Sequence, residues 1–346
     1  MADARIALIR DWLAKDLGWP HDCRLEPASA DASFRRYFRV WQPSGATRVV
    51  MDAPPGQEDV GPYLHVTRLL TACGVHVPEV EAADEVRGLL LLEDLGSTQL
   101  LARLRSGGDA GALYGDALDS LAQIQLRGGA GARELGVYNA EALEREMRLL
   151  PDWFCARHLQ LSIDAASAAL LQQTFDVLVR ELVLQPTVLV HRDYHSRNLM
   201  IGGTRNPGII DFQDAVAGPI GYDLVSLLED CYISWPRARV LGWLENHRTQ
   251  LRAEGFAHGA DSAEFVRWFD LAGLQRHIKV LGIFARLWYR DGKSAYLSDL
   301  PLTLEYVRAT AARYGEFTDF SAWVERNLVP RLSTANARAL SPAVPA

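Results

Sequence analysis

Lysine is almost missing from this 346-residue chain: it occurs only at Lys15, Lys279 and Lys293. Every other basic residue is Arg or His, and that constrains how any bound anion can be held along most of the chain. Cysteine is scarce as well. Cys23, Cys73, Cys155 and Cys231 lie far apart and form no C-x-x-C pair. That argues against a thiolate metal site or a disulfide framework, and for buried thiols in a reducing compartment. No apolar run approaches membrane-spanning length. The first nineteen residues interleave Asp3, Arg5, Arg10, Asp11, Lys15 and Asp16 with apolar residues at helical spacing, which fits an amphipathic helix rather than a signal peptide. A net charge of -7 leaves no basic footprint for nucleic acid. These absences predict a cytoplasmic chain with neither a nucleic-acid nor a membrane partner. The composition is that of an ordinary globular protein, 49% hydrophobic and 23% charged, with length enough for two lobes.

Strand patterns fall at Cys23–Glu26, Tyr37–Trp41 and Arg48–Met51, with turns at 27–34 and 43–45. A helical stretch from Glu58 to Cys73 is stopped by Gly74. Val77–Ala82 and Gly88–Leu92 complete a small antiparallel sheet, and the apolar run 89–92 suits a strand covered on both faces. Glu93-Asp94-Leu95-Gly96 breaks the pattern and marks a hinge. Beyond it the periodicity predicts helices over 112–126, 140–157, 165–184, 221–232, 238–254, 263–290, 302–314 and 320–327. The fold class is α+β. Residues 1–95 form a nucleotide-binding lobe, 96–332 a mainly helical catalytic and substrate lobe, and 333–346, poor in large apolar residues, a disordered tail.

One segment carries chemistry. His191-Arg192-Asp193-Tyr194-His195-Ser196-Arg197-Asn198 lies between the apolar runs 187–190 and 199–201, and Asp211-Phe212 follows thirteen residues after Asn198. Phosphoryl transfer needs such a set. One carboxylate, Asp193, accepts the proton of an attacking hydroxyl, while the Asn198 amide oxygen and the Asp211 carboxylate hold Mg2+ on the phosphates of ATP. Asp223, just inside a helical pattern, reads as a helix cap that braces the loop.

The nucleotide end is less regular. Protein kinases close a glycine-rich loop over the phosphates and supply a lysine from the third strand. Here residues 28–36 contain no glycine, and Met51-Asp52 stands where the lysine would be. Ser33 and Phe34 in the loop, with Arg36 as the leading phosphate cation ahead of Arg39 and Arg48, are the candidates. The Glu93–Leu95 main chain is the adenine edge, with Val50 and Leu92 as apolar walls. In the second lobe Leu274, Ile278, Leu281, Ala285 and Trp288 share one helical face, and Arg276, Lys279, Arg286 and Arg290 line the other. That second face is either a solvated basic stripe or a cationic wall for an acidic acceptor. Trp153, Phe154, Tyr222, Tyr232 and Trp235 are candidates to stack on a sugar ring.

The catalytic segment and Asp211-Phe212-Gln213-Asp214 resemble the aminoglycoside phosphotransferase/choline kinase superfamily, which has the two-lobed protein-kinase-like fold. Ala32–Phe38, Val50–Pro55, Val188–Tyr194, Arg197–Met200, Gln275–Val280 and Gly282–Arg286 are similar to strings of the cell-wall sugar kinases within it. Those enzymes phosphorylate N-acetylmuramate and N-acetylglucosamine at the anomeric hydroxyl. The resemblance, running from about residue 28 to about 300, implies an ATP- and Mg2+-dependent sugar kinase of peptidoglycan recycling. It further implies Asp214, Arg276, His277, Lys279 and Arg286 as acceptor-binding residues, and Met51 as normal for the subgroup. A monomer is expected. His195-Ser196 replaces the Met-Pro of that pattern. The alternatives are an aminoglycoside or other small-molecule hydroxyl phosphotransferase, including a choline-type kinase, and a nucleotide-binding pseudokinase.

Overall fold

A computed structural model describes residues 3–30, 34–203, 205–256 and 259–341. In chain order, helix α1 (Ala4–Lys15) precedes strands β1 (Leu25–Ala30), β2 (Arg36–Trp41) and β3 (Thr47–Asp52). Then come α2 (Gly61–Ala72), β4 (Val80–Asp84), β5 (Leu89–Glu93), α3 (Leu100–Arg105) and α4 (Ala110–Arg127). Next are α5 (Gly129–Ala132), α6 (Ala140–Met147), a π-helical segment (Leu150–His158), α7 (Ala165–Val183) and β6 (Thr187–Val190). Short strands β7 (Leu199–Met200), β8 (Gly208–Ile209) and β9 (Val216–Pro219) lead into α8 (Gly221–Leu228), α9 (Arg237–Ala253) and α10 (Ser262–Asp291). The chain closes with α11 (Leu300–Ala311), α12 (Thr318–Asn327) and α13 (Val329–Leu340). Among the described residues no helix is long and apolar enough to cross a membrane.

Contacts divide the chain into two units, Met1–Gly128 with Arg197–Ala215, and Gly129–Ser196 with Val216–Ala346. Gly96, the expected hinge, lies within the first of these units. Residues 197–215 join the first unit through main-chain bonds: Ile201 N–H donates to Thr98 (2.8 Å) and Ile209 N–H to His76 (2.8 Å).

The first unit is a five-stranded antiparallel sheet in the order β1-β2-β3-β5-β4. Side chains alternate across it. Phe38, Val40, Val50, Leu89 and Leu91 pack under α1 against Ile9, Trp12 and Leu13. Tyr37, Arg39, Val49 and Leu92 face the other way and line a cleft. Gly88, at the entry to β5, has φ +67°, and a Cβ there would lie 1.9 Å from the Ala53 carbonyl oxygen, so no other residue fits that turn.

The second unit is built around α10, which packs against α8, α11, α7 and the π-helical segment. Asp261 caps α10 by accepting from Glu264 N–H (2.8 Å), and Gly292 ends it in the left-handed conformation. The expected helix 140–157 is interrupted: Pro151 cannot donate a main-chain hydrogen bond, so the α-helical ladder ends and a π-helical turn takes over. The expected disordered tail is also corrected. Residues 333–340 are helical, because Leu332 and Ala335 are buried and the Asn336 amide and Arg338 guanidinium both bond His158. Residues 342–346 lie outside the described residues. All four cysteines are free and buried.

Gly282 sits where α10 meets the turn before the π-helix. A Cβ there would be 2.4 Å from the Leu149 carbonyl carbon and 2.5 Å from its Cβ. Gly282→Ala is expected to destabilise the protein by about 1–3 kcal/mol, the overpacking cost exceeding the helix-propensity gain of roughly 1 kcal/mol. A urea midpoint equal to or above wild type would contradict that close approach.

Candidate active site

The cleft of the first unit has a volume of about 300 Å³. Its floor includes Arg197, Asn198, Met200, Ile210 and Asp211, and its rim runs from Glu93 through Gly96. Arg39 fastens that rim: its guanidinium donates to both Asp94 carboxylate oxygens (2.6 and 2.9 Å) and to Gly96 O (3.0 Å). Burial alone would raise the Asp94 carboxyl, but Arg39 and neighbouring donors outweigh it and hold it below the ordinary value. Glu93 is engaged twice, its N–H with Glu79 O (2.9 Å) and its carboxylate with His76 (3.1 Å).

Asn198 and Asp211 come together as expected from their spacing. Asn198 Nδ2 lies 3.4 Å from Asp211 Oδ2, and Ile210 N–H donates to Asn198 O (3.0 Å). Asp211 is left-handed (φ 65°), an uncommon conformation for a residue with a Cβ. Phe212 is fully buried against Tyr63, with ring centroids 4.8 Å apart, so the backbone twist sends the aromatic inward and leaves the carboxylate 37% exposed. Gln213 Nε2 donates to Asp211 Oδ1 (3.0 Å), and Arg35 Nη2 lies 3.7 Å from the same oxygen.

Three nucleotide-site expectations are displaced. Arg36 does not line the cleft: it donates to Asp52 (2.6 and 3.1 Å) and pairs with Asp3, on the α1 side of the sheet. Val50 packs in the α1 core, and Val49, one residue earlier, is the wall of the cleft. Both errors have one cause. In a strand a shift of one residue moves a side chain to the opposite face, and Arg35-Arg36 and Val49-Val50 offer the same residue type to either face. Phe34 is 64% exposed, with its N–H on Glu58 Oε1 (3.1 Å). Ser33 lies outside the described residues. Leu92, Glu93 and Leu95 line the cleft, and Asp214 is exposed beside Gln213 (3.2 Å).

In the second unit β6 pairs with β9, and the loop 191–196 leaves the end of β6. Asp223, in the first turn of α8, holds that loop: Oδ2 accepts from His191 N–H (2.6 Å) and Oδ1 from Arg192 N–H (3.0 Å). Arg192 is left-handed (φ 76°), which turns the chain so that Asp193 follows. Ser196 donates both its N–H (3.0 Å) and its hydroxyl to Asp230, so the serine of this chain has a built-in partner. Asp193 keeps 49% of its side chain exposed, with Arg276 Nη2 3.9 Å from Oδ1. Its surroundings raise its carboxyl by desolvation, but the charges of Lys279, His195, Arg276 and His191 outweigh that and leave it below 3.8.

The basic face of α10 is divided: Arg276 and Lys279 are buried, whereas Arg290 at its end is exposed. Arg276 Nε donates to Ser226 Oγ (2.6 Å), and Lys279 Nζ to Tyr222 OH (2.9 Å) and to Glu146 (3.0 Å). Glu146 also receives Arg192 (2.6 Å) and the Tyr138 hydroxyl. Sequence reasoning missed Glu146, although it sits within the apolar stripe Leu143, Met147, Leu150, a position at which a carboxylate needs a partner. Arg286, two turns beyond Lys279 on the same face, is half-buried, and its Nε has no hydrogen-bond partner among the described residues. His277 points elsewhere. Its Nε2 hydrogen-bonds Glu229 O (2.9 Å), its ring stacks on Tyr306 at 4.6 Å, and burial together with Arg276 drives it down to about 3. It therefore stays neutral, as a packing residue.

Asp223→Asn would leave one of two buried N–H groups without an acceptor, at about 1–3 kcal/mol. The Asp223 carboxyl is raised to about 6 by burial. A raised carboxyl means that, from pH 3.8 to 6, the folded chain keeps a proton the unfolded chain has lost, so this group's contribution falls as pH rises. The stability gap between wild type and variant should thus be larger at pH 5 than at pH 7.5, by about 1.4 kcal/mol. Denaturation at both pH values checks it, and a gap that widens with pH would contradict the buried brace.

The floor of the cleft thus brings Asn198 and a left-handed Asp211 together, and the second unit keeps Asp193 half exposed near the buried Arg276. The chain belongs to the phosphotransferase enzyme family, whose model matches residues 24–261. Among similar curated proteins is the N-acetylmuramate/N-acetylglucosamine kinase of Pseudomonas aeruginosa strain PAO1. It is 43% identical over 326 residues, covering 92% of this chain and 95% of that one. A kinase of the same name from Pseudomonas putida strain KT2440 is 45% identical, covering 85% of this chain and 86% of that one. Solved structures share the kinase-like α+β fold at low identity. ADP-bound aminoglycoside phosphotransferase APH(2'')-Ib has a TM-score of 0.58 at 16% identity, over 87% of this chain and 97% of that one. Plasmodium vivax ethanolamine kinase has 0.63 at 12%, over 86% and 87%.

Proposed function

We propose that this enzyme transfers the γ-phosphoryl group of ATP to the anomeric hydroxyl of N-acetylmuramate or N-acetylglucosamine, as in the recycling of cell-wall sugars. The observation that carries this reading is the 43–45% identity, over most of the chain, to kinases of that name. The site chemistry agrees with it. Asp193 is ionised at neutral pH, so it orients the acceptor hydroxyl and takes its proton as the oxygen bonds to phosphorus. Arg276 beside it offers a cation to an acceptor that bears a carboxylate. A polycationic aminoglycoside would meet Arg276 and Lys279 with like charge, which disfavours that acceptor.

Asp211 and Asn198 would hold Mg2+. The donor set fits: both present hard oxygens, the Asn198 amide can turn its oxygen toward the place its nitrogen occupies, and one or two protein ligands suffice when phosphates complete the shell. Mg2+ would neutralise charge on the phosphates during transfer. Leu95 and its neighbours at the rim of the cleft take the adenine, with Val49 and Leu92 beside it. A cytoplasmic location, where ATP is supplied, and a monomeric state go with this reading.

ADP release should be measured with both free sugars, their 1-O-methyl glycosides, kanamycin and choline. The reading predicts turnover with the free sugars and none with the glycosides, whose anomeric oxygen is blocked. Turnover of kanamycin or choline, with none of the sugars, would replace it.

A further inference from the structure

The chain has no lysine between Lys15 and Lys279, yet polyphosphate charge in the cleft of the first unit needs a cation. Four arginines lie on β2, just before it, or on β3. Arg36 is neutralised by Asp52 and Asp3, on the far side of the sheet. Arg39 is committed to Asp94 and Gly96, where it fastens the rim. Arg48 pairs with Glu81 and Thr47 O. Arg35 stands beside Asp211, on the floor of the cleft. It precedes β2 with the same parity as Tyr37 and Arg39, which both line the cleft. Its side chain is only 10% exposed, and its guanidinium is 3.7 Å from Asp211 Oδ1. That distance is a charge attraction and longer than a hydrogen bond.

The neighbourhood explains why an arginine suits this place. Tyr37 pairs in register with Met51, the third-strand position that carries methionine instead of lysine. Arg35 lies two residues further along the same face, about 7 Å away. An arginine there reaches the space beside Asp211 that a lysine would reach from Met51. Its planar fork also matches phosphate oxygens two at a time.

We infer that Arg35 is the phosphate-binding cation of this enzyme, holding the β- and γ-phosphates of the nucleotide and taking the part that the third-strand lysine plays in other kinases. The inference rests on the reading that the cleft binds ATP. With no nucleotide bound, Arg35 answers the charge of Asp211. With Asp211 serving as a ligand to Mg2+, the guanidinium of Arg35 would be placed to bind the phosphates. Arg197, which lines the cleft beside Asn198, is the competing cation.

Calorimetric titration without acceptor tests this directly, using ATP, ADP, AMP and adenosine on wild type, Arg35→Met, Arg35→Lys and Arg197→Met. Arg35→Met should weaken ATP and ADP by about 10–100-fold, the scale of lost charge-assisted hydrogen bonds, and leave adenosine within about threefold. Arg35→Lys, which keeps the charge but loses the fork, should recover only part of the ATP affinity. Three results overturn the assignment: unchanged ATP affinity in Arg35→Met, an equal loss for ATP and adenosine, or the phosphate-selective loss appearing in Arg197→Met instead. Failure of wild type to bind any of the four would overturn the nucleotide-cleft reading, and the assignment with it.

Discussion

Asp193→Ala lowers kcat by about 10²–10⁴-fold, the range that a positioned general base supplies, while KM for ATP stays within about threefold. The expectation follows from where the charge sits. Asp193 belongs to the unit that carries the buried cations of α10, and its carboxylate remains half open to an incoming hydroxyl. The Asp193 N–H meets His191 Nδ1 at 3.3 Å, and its carbonyl accepts from His195 N–H at 2.9 Å, so the main chain is fixed without the side chain. Removing the carboxylate therefore takes away chemistry and leaves the loop standing. Steady-state rates with saturating sugar check this, with circular dichroism confirming the fold. Retention of more than about a tenth of the activity would mean that no side chain at this position takes the proton. Because the folded carboxyl lies below 3.8, it remains charged across the working range. The acid limb of the rate profile should therefore not come from this group.

Glu146→Gln lowers stability by about 3–5 kcal/mol, the largest single-residue cost expected outside the apolar core. Glu146 is 14% exposed and receives Lys279 (3.0 Å), Arg192 (2.6 Å) and the Tyr138 hydroxyl. Burial pushes its carboxyl up, but Lys279 and Arg192 overcome that and hold it below 4.5. A depressed carboxyl stabilises the fold above that pH, and the contribution is lost as pH falls through the folded value. The amide keeps the shape and removes the charge, leaving two enclosed cations 3 Å or less from a neutral group. Adding Lys279→Met removes one of those cations, so the double variant should regain part of the loss. Denaturation midpoints of the three variants are the measurement. A Glu146→Gln midpoint equal to wild type would mean that the two cations are solvated in solution and the cluster carries no stability.

How far the sequence could be read depended on whether the information was local. The string from His191 to Asn198, and Asp211 thirteen residues on, needs only short strands around it, and the structure brings Asn198 and Asp211 to 3.4 Å. Most of the sheet was legible for the same reason, but β1 continues to Ala30 through residues 27–30, where Pro27 and the small residues after it read as a turn. Which face each strand shows was not legible. Val49 and Val50 are chemically identical, and only packing under α1 decides that Val50 goes inward. Arg35 and Arg36 differ in the same way. The acceptor side was less legible still. Periodicity put Arg276 and Lys279 on one basic face and the resemblance added His277; all three are buried, but their partners differ, with Lys279 on Glu146 and His277 on Glu229 O. Glu146 lies 133 residues before Lys279 in the chain, and no local pattern predicts that pairing. The final helix was hidden because polar contacts to His158, rather than a broad apolar face, tie down residues 333–340.

Phosphorus NMR of the reaction mixture is the most direct test of the central claim. Wild-type enzyme with Mg-ATP and N-acetylmuramate or N-acetylglucosamine should yield ADP and a new phosphomonoester resonance coupled to the anomeric proton, with no such resonance from Asp193→Ala. ADP with inorganic phosphate alone, or a phosphate coupled to a proton elsewhere on the ring, would contradict the anomeric sugar kinase.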